Sequence, residues 1–209
     1  YGYQNNPEIT NSLSNNQVNA VFPDPAKPDG FLWIGTSSGL NLFDINKQSF
    51  SHFTQKEGLP NNVIYGISSD SQDNLWLSTN KGISKYNIKT KKFRNYDVED
   101  GLQSNEFNTG AVFKGSKGEL FFGGINGLNY FFPDQINDNP FQPLLSITGL
   151  KVYSQSKKKN EIAEIKQIPI NRNENITFTP RDEIIIFEFA ALDFSSPNKN
   201  KYAYKLVNF

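Results

Sequence analysis

Cysteine is absent from these 209 residues, which excludes a disulfide framework, thiolate metal ligands and a cysteine nucleophile together. Histidine occurs once, as His52, so neither a two-histidine metal site nor a histidine-rich catalytic centre can be assembled. An excess of one charge is lacking too: 21 basic and 21 acidic residues leave a formal net charge of zero. Without a basic footprint the segment is not expected to bind DNA or RNA. No apolar run approaches the roughly 18 residues needed to span a bilayer. The longest clusters, Ile184 to Phe187 and Phe189 to Leu192, are of strand length and are interrupted by Glu188. No membrane segment and no cofactor site are expected.

What is present is repetition. Phe31-Leu32-Trp33-Ile34-Gly35-Thr36-Ser37-Ser38-Gly39-Leu40 returns as Asn74-Leu75-Trp76-Leu77-Ser78-Thr79-Asn80-Lys81-Gly82-Ile83, and again as Glu119-Leu120-Phe121-Phe122-Gly123-Gly124-Ile125-Asn126-Gly127-Leu128. The glycines at 39, 82 and 127 lie 43 and 45 residues apart, within the period of about 40 to 50 that marks four-stranded propeller blades. Leu13, Leu59 and Leu102 open the units, and Phe53 and Tyr96 close the first two.

The second copy shows the local reading most clearly. Val63 to Ser68 is β-rich, Ser69 to Asn74 is a turn, Leu75 to Thr79 is a strand, Asn80-Lys81-Gly82 reverses the chain into Ile83 to Tyr86, and Thr90 to Tyr96 supplies a fourth strand. Stacked blades bury both faces, which accounts for strands without strict polar alternation and for 18 Phe and 9 Tyr. Trp33, Trp76 and their counterpart Phe121 are expected to wedge between sheets. Gly39, Gly82 and Gly127 are expected to supply the positive φ that tight hairpins demand. Three blades do not close a ring, so further blades are expected upstream. Tyr1 to Tyr3 is read as the remnant of a preceding outer strand, and the chain as a piece of a longer protein.

The texture changes after Phe132-Pro133. Asn137 to Pro143 reads as a linker, and the remainder has no 43-residue echo. Leu144 to Val152, Ile165 to Ile170, Asn175 to Thr179, Glu183 to Ala190 and Lys201 to Leu206 read as β segments, with a loop over Ser154 to Asn160. The expected class is all-β: a partial β-propeller of about three four-stranded blades over 1–136, a linker over 137–143, and an incomplete immunoglobulin-like β-sandwich over 144–209.

The stretches "FLWIGTSSGLNLFD" and "GLPNNVIYGISSDSQDNLWLSTNKGISKYN" resemble two-component regulator propeller repeats, and "GLQSNEFNTGAVFKGSKGELFFGGINGLNYFFPDQI" is similar to the variant that closes such arrays. The stretch "ITFTPRDEIIIFEFAALDFSSPNKNKYAYKL" resembles the start of the triple-tyrosine domain, with Tyr202 and Tyr204 at its tyrosine-bearing strand. The resemblance implies the periplasmic sensor region of a hybrid two-component regulator, followed in the parent chain by a membrane helix, a histidine kinase and a response regulator. It implies an oligosaccharide as ligand, with the remaining blades, the signalling domains and a second protomer as partners. No kinase or receiver residue lies in this segment, so no catalytic residue is assigned.

Conventional catalytic signals are thin. His52 reads as an outer-strand residue. Asp70 and Asp73 lack the glycine and distal glutamate of a calcium loop and read as turn residues. Asp182-Glu183 and Glu99-Asp100 are neighbours, and on a strand neighbours point to opposite faces. Lys157-Lys158-Lys159 reads as a solvated loop tip, and Gly123-Gly124 with Gly127 as a hairpin, since no helix follows. Loops from successive blades converge at one end of a propeller. Here they carry Ser37, Ser38, Asn61, Asn62, Asn80, Lys81, Gln103, Asn105, Glu106 and Asn126, whose amide, hydroxyl and charged groups suit sugar hydroxyls. Two other readings compete: a propeller lyase or hydrolase acting on polysaccharide, and a structural or protein-docking propeller.

Overall fold

The computed structural model describes residues 1–136, 144–154, 164–168, 176–191 and 202–205. The chain divides into two compact units, Tyr1–Asp138 and Asn139–Phe209. The expected linker, 137–143, lies outside the described residues, as do the lysines 157–159.

The first unit is three consecutive antiparallel sheets. The first has the order β1 (Val18–Pro23), β2 (Phe31–Thr36), β3 (Gly39–Asp44), β4 (Ser49–Phe53). The second repeats it with β5 (Ile64–Ser69), β6 (Leu75–Thr79), β7 (Gly82–Asn87) and β8 (Lys92–Tyr96). Among the described residues the third holds only β9 (Phe107–Lys114), β10 (Leu120–Gly124) and β11 (Gly127–Phe131). It therefore departs from the expected four strands. After β11 the chain runs into a 3-10 turn at Pro133–Gln135, where proline has no N–H to offer a ladder. The innermost strands β1, β5 and β9 lie side by side, so the sheets stack as successive blades.

Each joint between sheets is built from aromatic residues at repeated positions. Trp33 of β2 meets Tyr86 of β7 at 5.6 Å between ring centroids, and Trp76 of β6 meets Phe131 of β11 at 4.9 Å. Both tryptophans are 1% exposed. The expectation for Phe121 fails. It is half-buried on the free face of the third sheet, stacked on Tyr130 and near Phe113, because no further sheet among the described residues covers it.

The three hairpins pair Thr36 with Gly39, Thr79 with Gly82 and Gly124 with Gly127 across two-residue loops. All three closing glycines have positive φ, at 133°, 89° and 114°. A side chain at Gly82 would also collide with the Tyr96 carbonyl oxygen. Tyr1 to Tyr3 form no strand, contrary to expectation. Tyr3 instead lays its ring edge-on against Phe43 and Phe50, beside the cluster that Leu13 joins.

Among the described residues the second unit has one antiparallel sheet, in the order β13 (Glu164–Ile168), β12 (Leu145–Ser154), β14 (Asp182–Ala191). Two expected β pieces are not strands in their described parts. Residues 176–179 lead into a turn in which Asp182 takes the Thr179 N–H at 2.6 Å and its hydroxyl at 3.0 Å. Residues 202–205 are also irregular. Tyr202 is tied to β14 by its side chain, its hydroxyl accepting the Ala191 N–H and its ring edge-on to Phe189. Tyr204 is 90% exposed and takes no part in a described core.

Candidate ligand-binding end of the propeller

A four-strand meander alternates its connections between two ends. The β2–β3, β6–β7 and β10–β11 hairpins therefore share an end with the β4–β5 and β8–β9 connections. All ten expected ligand residues lie on that end. Their side chains are largely engaged in holding the loops. Asn61 Oδ1 accepts the Val63 N–H, Asn62 Oδ1 that of Gln55, and Asn105 Oδ1 that of Val98. Asn80 Oδ1 accepts the Tyr65 hydroxyl, and Ser38 Oγ accepts from Asn15.

Gln103 and Asn126 form a latch. Asn126 donates its backbone N–H to Gln103 Oε1 and its amide to the Gln103 carbonyl. Gln103 Nε2 is buried without a partner among the described residues. In the first two hairpins Thr36 and Thr79 perform the equivalent service, each hydroxyl donating to the closing glycine carbonyl and accepting an N–H from the loop. The third sheet has Gly124 at that position, and the latch from Gln103 replaces it. Ser37, Lys81 and Glu106 have no side-chain hydrogen bond or ion pair among the described residues. With the amide nitrogens of Asn61, Asn62, Asn80 and Asn105, they are groups left to meet a ligand.

The sequence reading missed two sets of contacts that set up this end and the joints. The first set is Asp24 and Asp70. Trp33 Nε1 donates to Asp24 Oδ2 at 2.8 Å and Trp76 Nε1 to Asp70 Oδ2 at 3.0 Å. Asp70 also accepts from Gln72 N, Asn74 N and Asn74 Nδ2. Burial alone would raise its pKa, but the hydrogen bonds from Trp76, Asn74 and Gln72 outweigh burial and hold it below the ordinary value. Asp70 is thus the turn residue expected, with a tryptophan to hold as well. The paired recurrence of Asp24 with Trp33 and of Asp70 with Trp76 was a signal available in the repeats.

The second set fastens the chain as it comes into each blade. Ser14 N donates to Asn41 Oδ1 and Gln103 N to Asn129 Oδ1, both at 3.0 Å. In the second blade the corresponding residue is Pro60, which has no N–H, and Ser84 stands where an asparagine would accept it. Ser84 turns to Asn95 instead, at 2.7 Å. His52, as expected, sits on the outermost strand of its blade, with its imidazole on the Ser12 carbonyl.

Among the described residues no cluster of three or more His, Asp or Glu could hold a metal, and no helix is long and apolar enough to cross a membrane. Comparison with known proteins gives the following. Residues 58–81 match the family model of the two component regulator propeller. A curated relative, "Histidine kinase P4" of Formosa agariphila, is 29% identical over 258 residues, covering 96% of this chain and 18% of its own length. Among solved structures, the extracellular domain of BT3049 from B. thetaiotaomicron, assigned as a hybrid two component system, is 34% identical with a TM-score of 0.63, covering 88% of this chain and 24% of that one. The extracellular domain of BT4673 from the same organism has a TM-score of 0.51 at 17% identity, over 85% of this chain and 25% of that one, a likeness of fold alone. The chain spans under a fifth of the curated relative and about a quarter of these structures. Its likeness is to extracellular domains of two component systems and not to catalytic domains; its first unit has the sheets of a partial β-propeller, within which residues 58–81 match the two component regulator propeller.

Proposed function

We propose that this segment belongs to the ligand-sensing extracellular part of a hybrid two-component regulator, lies in the periplasm, and contributes loops to an oligosaccharide site at the propeller end that carries Ser37, Lys81, Glu106 and the asparagine amides. The observation that carries this reading is the 34% identity and TM-score of 0.63 to the extracellular domain of a hybrid two component system. The loop chemistry supports the saccharide part, since amides, a hydroxyl, an ammonium and a carboxylate together supply the donors and acceptors that a polyhydroxylated ligand uses. The three-stranded sheet of the second unit is then the opening of the immunoglobulin-like sandwich that relays ligand state toward a membrane-linked kinase. A ligand moves such an equilibrium only by its differential affinity for two arrangements of the receptor or of two protomers. Calorimetric titration of the full ectodomain with a broad oligosaccharide panel tests the reading, together with sedimentation with and without the binding glycan. Binding that Lys81→Ala and Glu106→Gln weaken is expected. A panel without a single binder would overturn the saccharide assignment.

A further inference from the structure

The crevice between the first and second blades, at the end opposite the loops described above, carries a charge that the fold does not require. Asp24, Lys27, Phe31, Trp33, Leu42, Phe53, Tyr86, Ile88 and Lys91 line a cavity of about 330 Å³, at the lower end of the size of small-molecule sites, about 300 to 1,000 Å³. Its walls include the half-buried Phe31, Leu42, Phe53 and Ile88. Lys27 reaches it from the β1–β2 turn and Lys91 from the β7–β8 hairpin, where Lys89 and Lys92 are also exposed. None of the four lysines forms an ion pair among the described residues.

Asp24 offsets only part of this charge. Its carboxylate already accepts the N–H groups of Ala26 and Lys27 and the indole N–H of Trp33, and with Asp29 in the same turn it sets two acids against four cations. The next joint is an internal control. There the β5–β6 turn carries Asp73 and the turn after β11 carries Asp134, and Asp70 is met by Lys85 from within its own sheet at 3.9 Å. The corresponding turns of that joint carry acids alone, whereas here the β1–β2 turn adds Lys27 to its two acids and the β7–β8 hairpin carries Lys89, Lys91 and Lys92.

We infer that this crevice binds a saccharide bearing a carboxylate or a sulfate group, with the anion between Lys27 and Lys91 and the ring against the apolar walls. The saccharide half rests on the proposed function, whereas the anionic half rests on the lysines alone. The test uses the full ectodomain and the variant Lys27→Gln/Lys91→Asn. Asparagine is chosen because Lys91 has φ of 55°, a left-handed conformation that asparagine tolerates well. Glucuronate, glucose 6-sulfate, neutral glucose and sodium sulfate are titrated at low and high salt. The expected result is binding of the two anionic sugars, weakened on the order of tenfold or more by the variant and weakened again by salt, with an unchanged melting temperature. If neutral glucose binds as well as glucuronate, or if the variant leaves both anionic sugars unaffected, the crevice assignment is wrong while the sensing function stands. If sulfate alone binds and depends on the two lysines, the anion site stands and its saccharide half falls. Absence of lysine-dependent binding by all four probes overturns the inference entirely.

Discussion

Asp70 gathers four donors on one carboxylate, from Gln72, from Asn74 twice and from Trp76. Its removal leaves several buried donors unpaired, each costing about 1–3 kcal/mol, so Asp70→Ala is expected to lower stability by about 3 kcal/mol or more in denaturant unfolding. Because its folded-state pKa is held below the ordinary value, its contribution is complete above the unfolded pKa of about 4 and is lost as pH falls through the lower folded value. The stability gap between the wild type and Asp70→Asn should therefore shrink on acidification below about pH 4 and stay level above pH 5. A gap that is constant down to pH 2 would refute the linkage. Glycine positions show a similar contrast. Gly82→Val forces a β-branched residue to φ of 89° against the Tyr96 carbonyl, whereas nothing lies within 4 Å of a Cβ at Gly127. Thermal unfolding should show a loss of several degrees or failure to fold for Gly82→Val, and a distinctly smaller loss for Gly127→Ala.

At the level of the elements, strands and hairpins were legible because the repeat supplies three readings of one pattern. The strand Leu75–Thr79 and the turn at Asn80-Lys81 follow from β-rich runs punctuated by a hairpin dipeptide and glycine. The fourth strand of the third blade was not legible, because its expected place was inherited from the first two units and Pro133 breaks the pattern locally. Residues 176–179 and 202–205 looked like strands by composition, yet side-chain bonds from Asp182 and to Tyr202 take the place of a ladder. The ten loop residues were legible in position but not in state, since a sequence does not say which amide oxygens a loop spends on itself. The indole locks belong to this scale also. The third sheet has Phe121 where the others have tryptophan and Gly115 where they have aspartate, so donor and acceptor are absent together. In a double-mutant cycle, Trp76→Phe should cost much less in the Asp70→Ala background than in the wild type, with a coupling of about 1–3 kcal/mol. Additive effects would show that the bond contributes nothing beyond its two residues.

For the molecule as a whole, the free face of the third sheet is the dominant feature of the first unit. Phe113 is 66% exposed there, and Leu128 and Tyr130 are exposed as well, a contiguous apolar surface of the kind that drives association. Expressed alone, the segment is expected to self-associate at micromolar concentration in sedimentation velocity runs, and Phe113→Thr/Leu128→Thr to reduce that association while retaining the strand propensity of the sheet. Equal sedimentation of both proteins as monomers would show that the face is not adhesive.

The joints have an implication for how such chains change length. Each sheet presents an indole or its substitute on one side and a third-strand aromatic, Phe43, Tyr86 or Phe131, on the other, at matching places. Excising residues 58–100 would splice Glu57 onto Gly101-Leu102 in place of Gly58-Leu59, and bring Trp33 opposite Phe131 as it now stands opposite Tyr86. Loss or gain of a whole period thus leaves every remaining seam chemically matched, whereas an indel of a single residue within a strand turns the side chains beyond it to the wrong side. Arrays of this construction can be trimmed or extended by recombination in whole modules.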